Sequence, residues 1–114
     1  MPTAGQRRHE AFQRQVAEFY ERAGWEVYSL ATKERADLFM VSTLGRSMLA
    51  EVKSSRKGNH QLSSDERECM QKTQLPYLRI RPGTKRGTIR VKILNRDGKE
   101  VTFSISDSST KRSA

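Results

Sequence analysis

Apolar residues recur at helical spacing from Gln6 to about Ala23, with Phe12, Val16, Phe19 and Ala23 on one stripe and Arg and Glu elsewhere. The spacing predicts an amphipathic helix that Gly24 ends. Trp25, Val27 and Tyr28 begin a β-rich run through Leu30, followed by a charged connection at Lys33, Glu34 and Arg35. Two runs, Ala36–Thr43 and Ser47–Ser54, flank a turn at Leu44-Gly45 and read as an antiparallel hairpin. Ser55–His60 is polar and reads as a loop. Ser63-Ser64-Asp65-Glu66 has capping-box spacing and starts a second helix reaching about Gln74, which Pro76 cannot continue. Tyr77, Leu78 and Ile80 form a strand closed by Pro82-Gly83. Ile89, Val91 and Ile93, then Val101, Phe103 and Ile105, alternate on either side of Asp97-Gly98 and predict a second hairpin. The order is that of a small α/β sandwich around one mixed sheet.

At 114 residues the chain accommodates one modest core, so a single domain over residues 1–106 is expected. Residues 107–114, rich in Ser and Lys/Arg, are expected to be a disordered tail. No apolar run approaches the ~20 residues that span a bilayer, and Met1–Glu10 has no apolar stretch of a secretory signal. The expectation is a soluble, cytoplasmic protein, cellular or phage-encoded. The single cysteine, Cys69, excludes an internal disulfide, and with His9 and His60 far apart in the sequence it also excludes structural zinc.

Lys and Arg number 22 against 13 Asp and Glu, a formal charge of +9 that favours a polyanionic partner. Arg79, Arg81, Lys85, Arg86, Arg90 and Lys92 follow one another with no acid between them, a local patch suited to a nucleic-acid backbone. Arg56, Lys57 and His60 sit in the loop after the second strand of the first hairpin, within reach of a phosphate. Gly83-Thr84-Lys85 lacks the spacing of a phosphate-binding loop, so no nucleotide cofactor is expected.

The chemistry concentrates in the first hairpin. A turn near Leu44-Gly45 gives pairing partners whose numbers sum to about 89, so Asp37 lies across from Glu51 and Val52, with Cβ atoms ~5–7 Å apart. Strand alternation puts Glu51 and Lys53 on one face, and sends Met48, Ala50 and Val52 into the core. Two carboxylates held together repel, and a divalent cation resolves the conflict. Oxygen ligands suit Mg²⁺, and the Val52 carbonyl is placed to add one more. Phosphodiester hydrolysis follows, with Lys53 orienting the nucleophile or offsetting transition-state charge.

Ala36-Asp37 with Glu51-Val52-Lys53 resembles the motif of the PD-(D/E)xK nuclease superfamily, and the element order is similar to its restriction-endonuclease-like α-β-β-β-α-β core, here with a C-terminal β-hairpin added. Over roughly Arg7–Arg81 the chain is most similar to the small stand-alone VRR-NUC nucleases and, less closely, to Holliday junction resolvases. The resemblance implies a Mg²⁺- or Mn²⁺-dependent, structure-selective DNA endonuclease, active on branched DNA such as Holliday junctions and often a homodimer. It also implies that a first-helix glutamate joins the metal ligands. Glu10 matches by position, although at ~100° per residue it falls about 150° from the centre of the apolar stripe. Alanine stands where the superfamily has proline before Asp37, and Glu66 where VRR-NUC domains carry glutamine. Two other classes predict different behaviour: a non-catalytic nucleic-acid-binding module of the same fold would bind without cutting, and a basic assembly protein would use Asp37 and Glu51 structurally.

Overall fold

The computed structural model describes residues 3–30, 36–55 and 61–105. The charged connection at Lys33, Glu34 and Arg35, the loop residues Arg56, Lys57 and His60, and the tail 107–114 lie outside the described residues. Helix α1 (Ala4–Arg22) starts one turn from the chain's beginning because Thr3 and Gln6 form a capping box: the Thr3 hydroxyl accepts from Gln6 N at 3.1 Å, and Gln6 Oε1 accepts from Thr3 N at 2.7 Å. Strands β1 (Trp25–Ser29), β2 (Leu38–Ser42) and β3 (Ser47–Val52) follow. Helix α2 (Ser64–Lys72) then leads to β4 (Tyr77–Pro82), β5 (Thr88–Ile93) and β6 (Val101–Ser104).

The six strands form one sheet in chain order, antiparallel except for the parallel β3–β4 pair. A parallel pair cannot be joined by a tight turn, so the chain between β3 and β4 must cross over the sheet, and α2 lies in that crossover. The described residues form a mixed α/β architecture with a six-stranded mixed sheet and two helices. Both expected hairpins are present. At the β2–β3 turn the Ser42 hydroxyl accepts from Leu44 N and Arg46 N, and Gly45 takes a φ of 81° that a side chain would strain.

The core lies between α1 and one face of the sheet. Val16 and Tyr20 meet Leu38, Met40, Ala50, Val52, Leu78, Ile80, Ile89 and Val91, with Phe12, Phe19, Trp25, Val27 and Met48 packed around them. Tyr20, rather than the expected Ala23, completes the helical stripe. The helix stops at Arg22, which leaves Ala23 as an exposed C-cap. Each fully buried Leu or Ile here contributes ~1.5–3 kcal/mol of transfer free energy, and this fixes which face of each strand looks inward.

The β2–β3 register pairs Leu38 with Ala50 and Met40 with Met48, sums of 88 where the turn suggested about 89. That one-residue difference matters because partners directly opposite share a face. At 88, Leu38 and Ala50 enter the core together, and the positions just outside them, Asp37 and Glu51, turn together to the other face.

Candidate functional site

On the face opposite α1, the ends of β2 and β3 carry the groups that the sequence singled out. Asp37 precedes β2, and its Oδ2 accepts from Val52 N at 2.8 Å, so its carboxylate is tied to the chain that bears Glu51. Glu51 is only 3% exposed. Lys53 follows β3, held there by its backbone N–H, which donates to Ile80 O at 2.9 Å. Lys53 Nζ stands 4.0 Å from Glu51 Oε2. Asp37, Glu51 and Lys53 therefore converge as the hairpin geometry required.

Two further residues join them. Glu66 is buried at the start of α2, and both its oxygens accept from Lys53 Nζ, at 3.0 and 3.2 Å. The same carboxylate accepts from Ser63 N at 2.8 Å, so the capping box that starts α2 also aims Glu66 at the site. Tyr77, fully buried on β4, donates its hydroxyl to Glu51 Oε1 at 3.1 Å. Sequence reasoning read Glu66 as a helix cap that stands where VRR-NUC domains carry glutamine, with no role in the site, and Tyr77 as a strand residue. The usable signal for Glu66 was its place in the helix's first turn, next to a crossover that had to return over Lys53. Nothing local marked Tyr77, because its register with Leu49 across the parallel pair is tertiary information.

The electrostatics are those of a crowded anionic pocket. Burial, then the carboxyls of Glu66 and Asp37, push Glu51 far above the usual carboxylate range. Burial also raises Glu66, but hydrogen bonds from Glu51, Ser63 N and Lys53 outweigh it and hold Glu66 below that range. Of the two carboxyls, Glu51 is thus the one whose protonated form its surroundings favour. Burial and the neighbouring Glu51 push the Tyr77 hydroxyl up as well, so it remains a donor.

Among the described residues no group of three or more His, Cys, Asp and Glu side chains forms a ready metal cage. The donors nonetheless fit a hard cation that needs few protein ligands: two adjacent carboxyls, one of them buried against like charge. Glu10 is exposed on the first half of α1. Its neighbour His9 links the helix to the segment just past β3, with Nδ1 3.2 Å from the Ser54 hydroxyl.

The basic stretch requires a correction. The sequence shows no acid within it, but the second hairpin delivers one: Glu100 accepts from Arg81 Nε and Nη2 at 2.8 and 2.7 Å, and from Arg79 Nη2 at 3.3 Å. Arg79 is the register partner of Glu51 across β3–β4 and of Lys92 across β4–β5, so the candidate site and the arginines share one face. Arg79, Arg81, Arg90 and Lys92 still outnumber Glu100 there. Arg90 Nε donates to Pro82 O, while Lys85 and Arg86 stand exposed on the β4–β5 turn. Trp25 packs against the core, and Tyr28 is half-exposed and donates to Glu26 at 2.5 Å; neither forms a base-stacking platform with the site. Cys69 is partly buried on α2.

Among known proteins, no family model matches the chain, and no curated protein gives a significant match. No helix of the described residues is long and apolar enough to cross a membrane.

Proposed function

We propose that this protein is a divalent-metal-dependent endodeoxyribonuclease of restriction-endonuclease-like fold, which hydrolyses phosphodiester bonds at branched DNA. The observation that supports it most is the buried carboxyl of Glu51, set beside Asp37, Glu66 and Lys53 at the end of β3. The ionised form of Glu51 is unfavourable there, because an acid buried beside the Asp37 and Glu66 carboxyls meets like charge until a cation offsets it. Asp37, Glu51 and the Val52 carbonyl would hold Mg²⁺ or Mn²⁺, with Glu10 as the candidate additional ligand. When bound, the ion supplies Lewis-acid polarisation of the scissile phosphate.

The chain's own groups do the rest. As a ligand Glu51 would be ionised, its proton released to solvent, and the Tyr77 hydroxyl, which donates to Glu51 Oε1, keeps the carboxyl oriented. Lys53, anchored by both oxygens of Glu66, orients the attacking water and offsets charge that develops on the phosphate. Glu66 acts through Lys53 as a positioning residue: a free lysine carries ~2 kcal/mol of rotamer entropy, which the twin hydrogen bonds remove before substrate arrives. Arg79, Arg81, Lys85 and Arg86, with Arg56, Lys57 and His60 beyond the described residues, are the proposed contacts to the DNA backbone. A homodimer would present two sites to a two-fold junction.

The test is cleavage of labelled four-way junction, flap, single-stranded and linear duplex DNA in Mg²⁺, Mn²⁺ and EDTA. Metal-dependent cutting that falls at least ~100-fold in folded Asp37→Ala and Lys53→Ala proteins is expected. Binding without cutting on every substrate, unchanged by Lys53→Ala, would sink the enzyme and leave a nucleic-acid-binding module.

A further inference from the structure

A cleft of about 590 Å³ opens between α1 and the β4–β5 turn, on the far side of β3's end from Lys53. Arg8, Phe12 and Arg22 line it from the helix, Arg86 from the β4–β5 turn, Thr88 from the start of β5, and Ser54 from just past the end of β3. Three arginines line the cleft with one acid, Glu18. We infer that this cleft binds a single nucleic-acid strand, holding nucleotides adjacent to the phosphate engaged at Asp37, Glu51 and Lys53; the inference rests on the nuclease reading of that site.

Continuity with the site comes first. Ser54 directly follows Lys53, their Cα atoms are ~3.8 Å apart, and successive side chains point to opposite faces. A strand that rounds the carboxyl end of β3 therefore passes from Lys53 into the cleft. The parallel strands β3 and β4 both end at this edge, where open α/β sheets gather their ligands.

Chemistry comes second. Arginine's planar fork matches phosphate oxygens two at a time, and Phe12 adds an apolar surface for sugar or base. The volume lies within the ~300–1,000 Å³ that takes small-molecule-sized groups such as nucleotides.

The walls, thirdly, are held in place. Gly83 N donates to Thr88 O at 2.8 Å, the Thr88 hydroxyl to Lys85 O at 2.6 Å, and Ile105 N to Gly87 O at 2.8 Å. Arg22 Nη2 reaches Ile105 O at 3.4 Å, and His9 ties the helix to Ser54. An acidic protein segment would satisfy the arginines as well, but it has no reason to sit beside the hydrolytic groups.

The test measures binding of a fluorescent 16-nucleotide single strand in EDTA across a salt series, in the Lys53→Ala background where no cutting interferes. Arg8 and Arg86 are exposed, so Arg8→Gln/Arg86→Gln should keep its circular dichroism and melting temperature. The slope of log K against log salt is expected to fall by about 1.4, ~0.7 for each phosphate that is no longer neutralised. Arg46→Gln, at the opposite end of β3, is expected to leave it unchanged. An unchanged slope in the double variant, an equal loss per charge in Arg46→Gln, or lost poly-glutamate binding with DNA binding intact would each overturn the inference. The measurement is independent of cleavage: a slope change in a protein that never cuts supports the cleft while the nuclease reading fails, and an active nuclease with an unchanged slope does the reverse.

Discussion

Glu51 makes the metal-free protein lose stability as pH rises, and Glu51→Gln removes that loss. The folded-state pKa of Glu51 is raised, so between the ordinary carboxylate range and that raised value the native state binds a proton that the unfolded chain has released. Stability is fully present below the unfolded pKa and declines above it, by up to ~1.4 kcal/mol per pH unit. From pH 5 to pH 8 the limit is about 4 kcal/mol, a large share of the ~5–15 kcal/mol that a domain possesses. Glutamine keeps the shape, accepts from the Tyr77 hydroxyl and donates an amide hydrogen toward Glu66, but it has no charge to expose. Glu66 and Glu100 do not contribute in this window: their folded pKa values are lowered, so their stability is lost only in acid. The assay is urea unfolding in EDTA at pH 5, 6, 7 and 8. With an m-value of roughly 1.5 kcal/mol/M, the wild-type midpoint should fall by as much as ~2.7 M, while Glu51→Gln stays level and overtakes wild type at high pH. A wild-type midpoint that is flat or rises with pH, or a Glu51→Gln protein with the same slope, would refute the buried proton.

The same proton links stability to metal: Mg²⁺ should raise the wild-type melting temperature more at pH 8 than at pH 6, and hardly at all in Glu51→Gln, as scanning calorimetry would show. Glu66→Ala removes the N3 half of the α2 capping box and leaves Lys53 without its twin acceptor, so a loss of ~1–3 kcal/mol in urea unfolding is expected. Gly83→Ala places a Cβ 1.9 Å from the Thr88 hydroxyl and 3.1 Å from Thr88 backbone, which should cost at least ~2 kcal/mol; an unchanged melting temperature would show that the β4–β5 turn yields. Glu100→Ala removes the carboxylate that Arg79 and Arg81 both engage, so DNA should bind more tightly at low salt, with a salt slope steeper by ~1; weaker binding would mean that Glu100 holds the arginines in their binding geometry.

Both helices, all six strands and the two hairpins were legible in the sequence because each rests on local terms: period, caps and turn residues. The convergence of Asp37, Glu51 and Lys53 was legible too, since one tight turn ties the two strands and alternation does the rest. The α1 stripe was read through Ala23, but the helix ends at Arg22 with Ala23 as its exposed C-cap, because which positions of a stripe are buried is settled by the neighbours that cover them rather than by spacing.

The sequence by itself therefore determined the elements, the pairing of β2 with β3, and the three polar side chains that share one face. The tertiary structure alone decided what surrounds them. It placed Glu66 on Lys53 and Tyr77 on Glu51, brought Glu100 from the second hairpin onto arginines that look unopposed in the sequence, and set Arg8 and Arg22 opposite Arg86 across a cleft. Each of these pairings joins residues on different elements, and their positions depend on how the sheet is ordered and on which face each element covers. Those are set by burial of the shared core, a property of the whole chain that no local window contains.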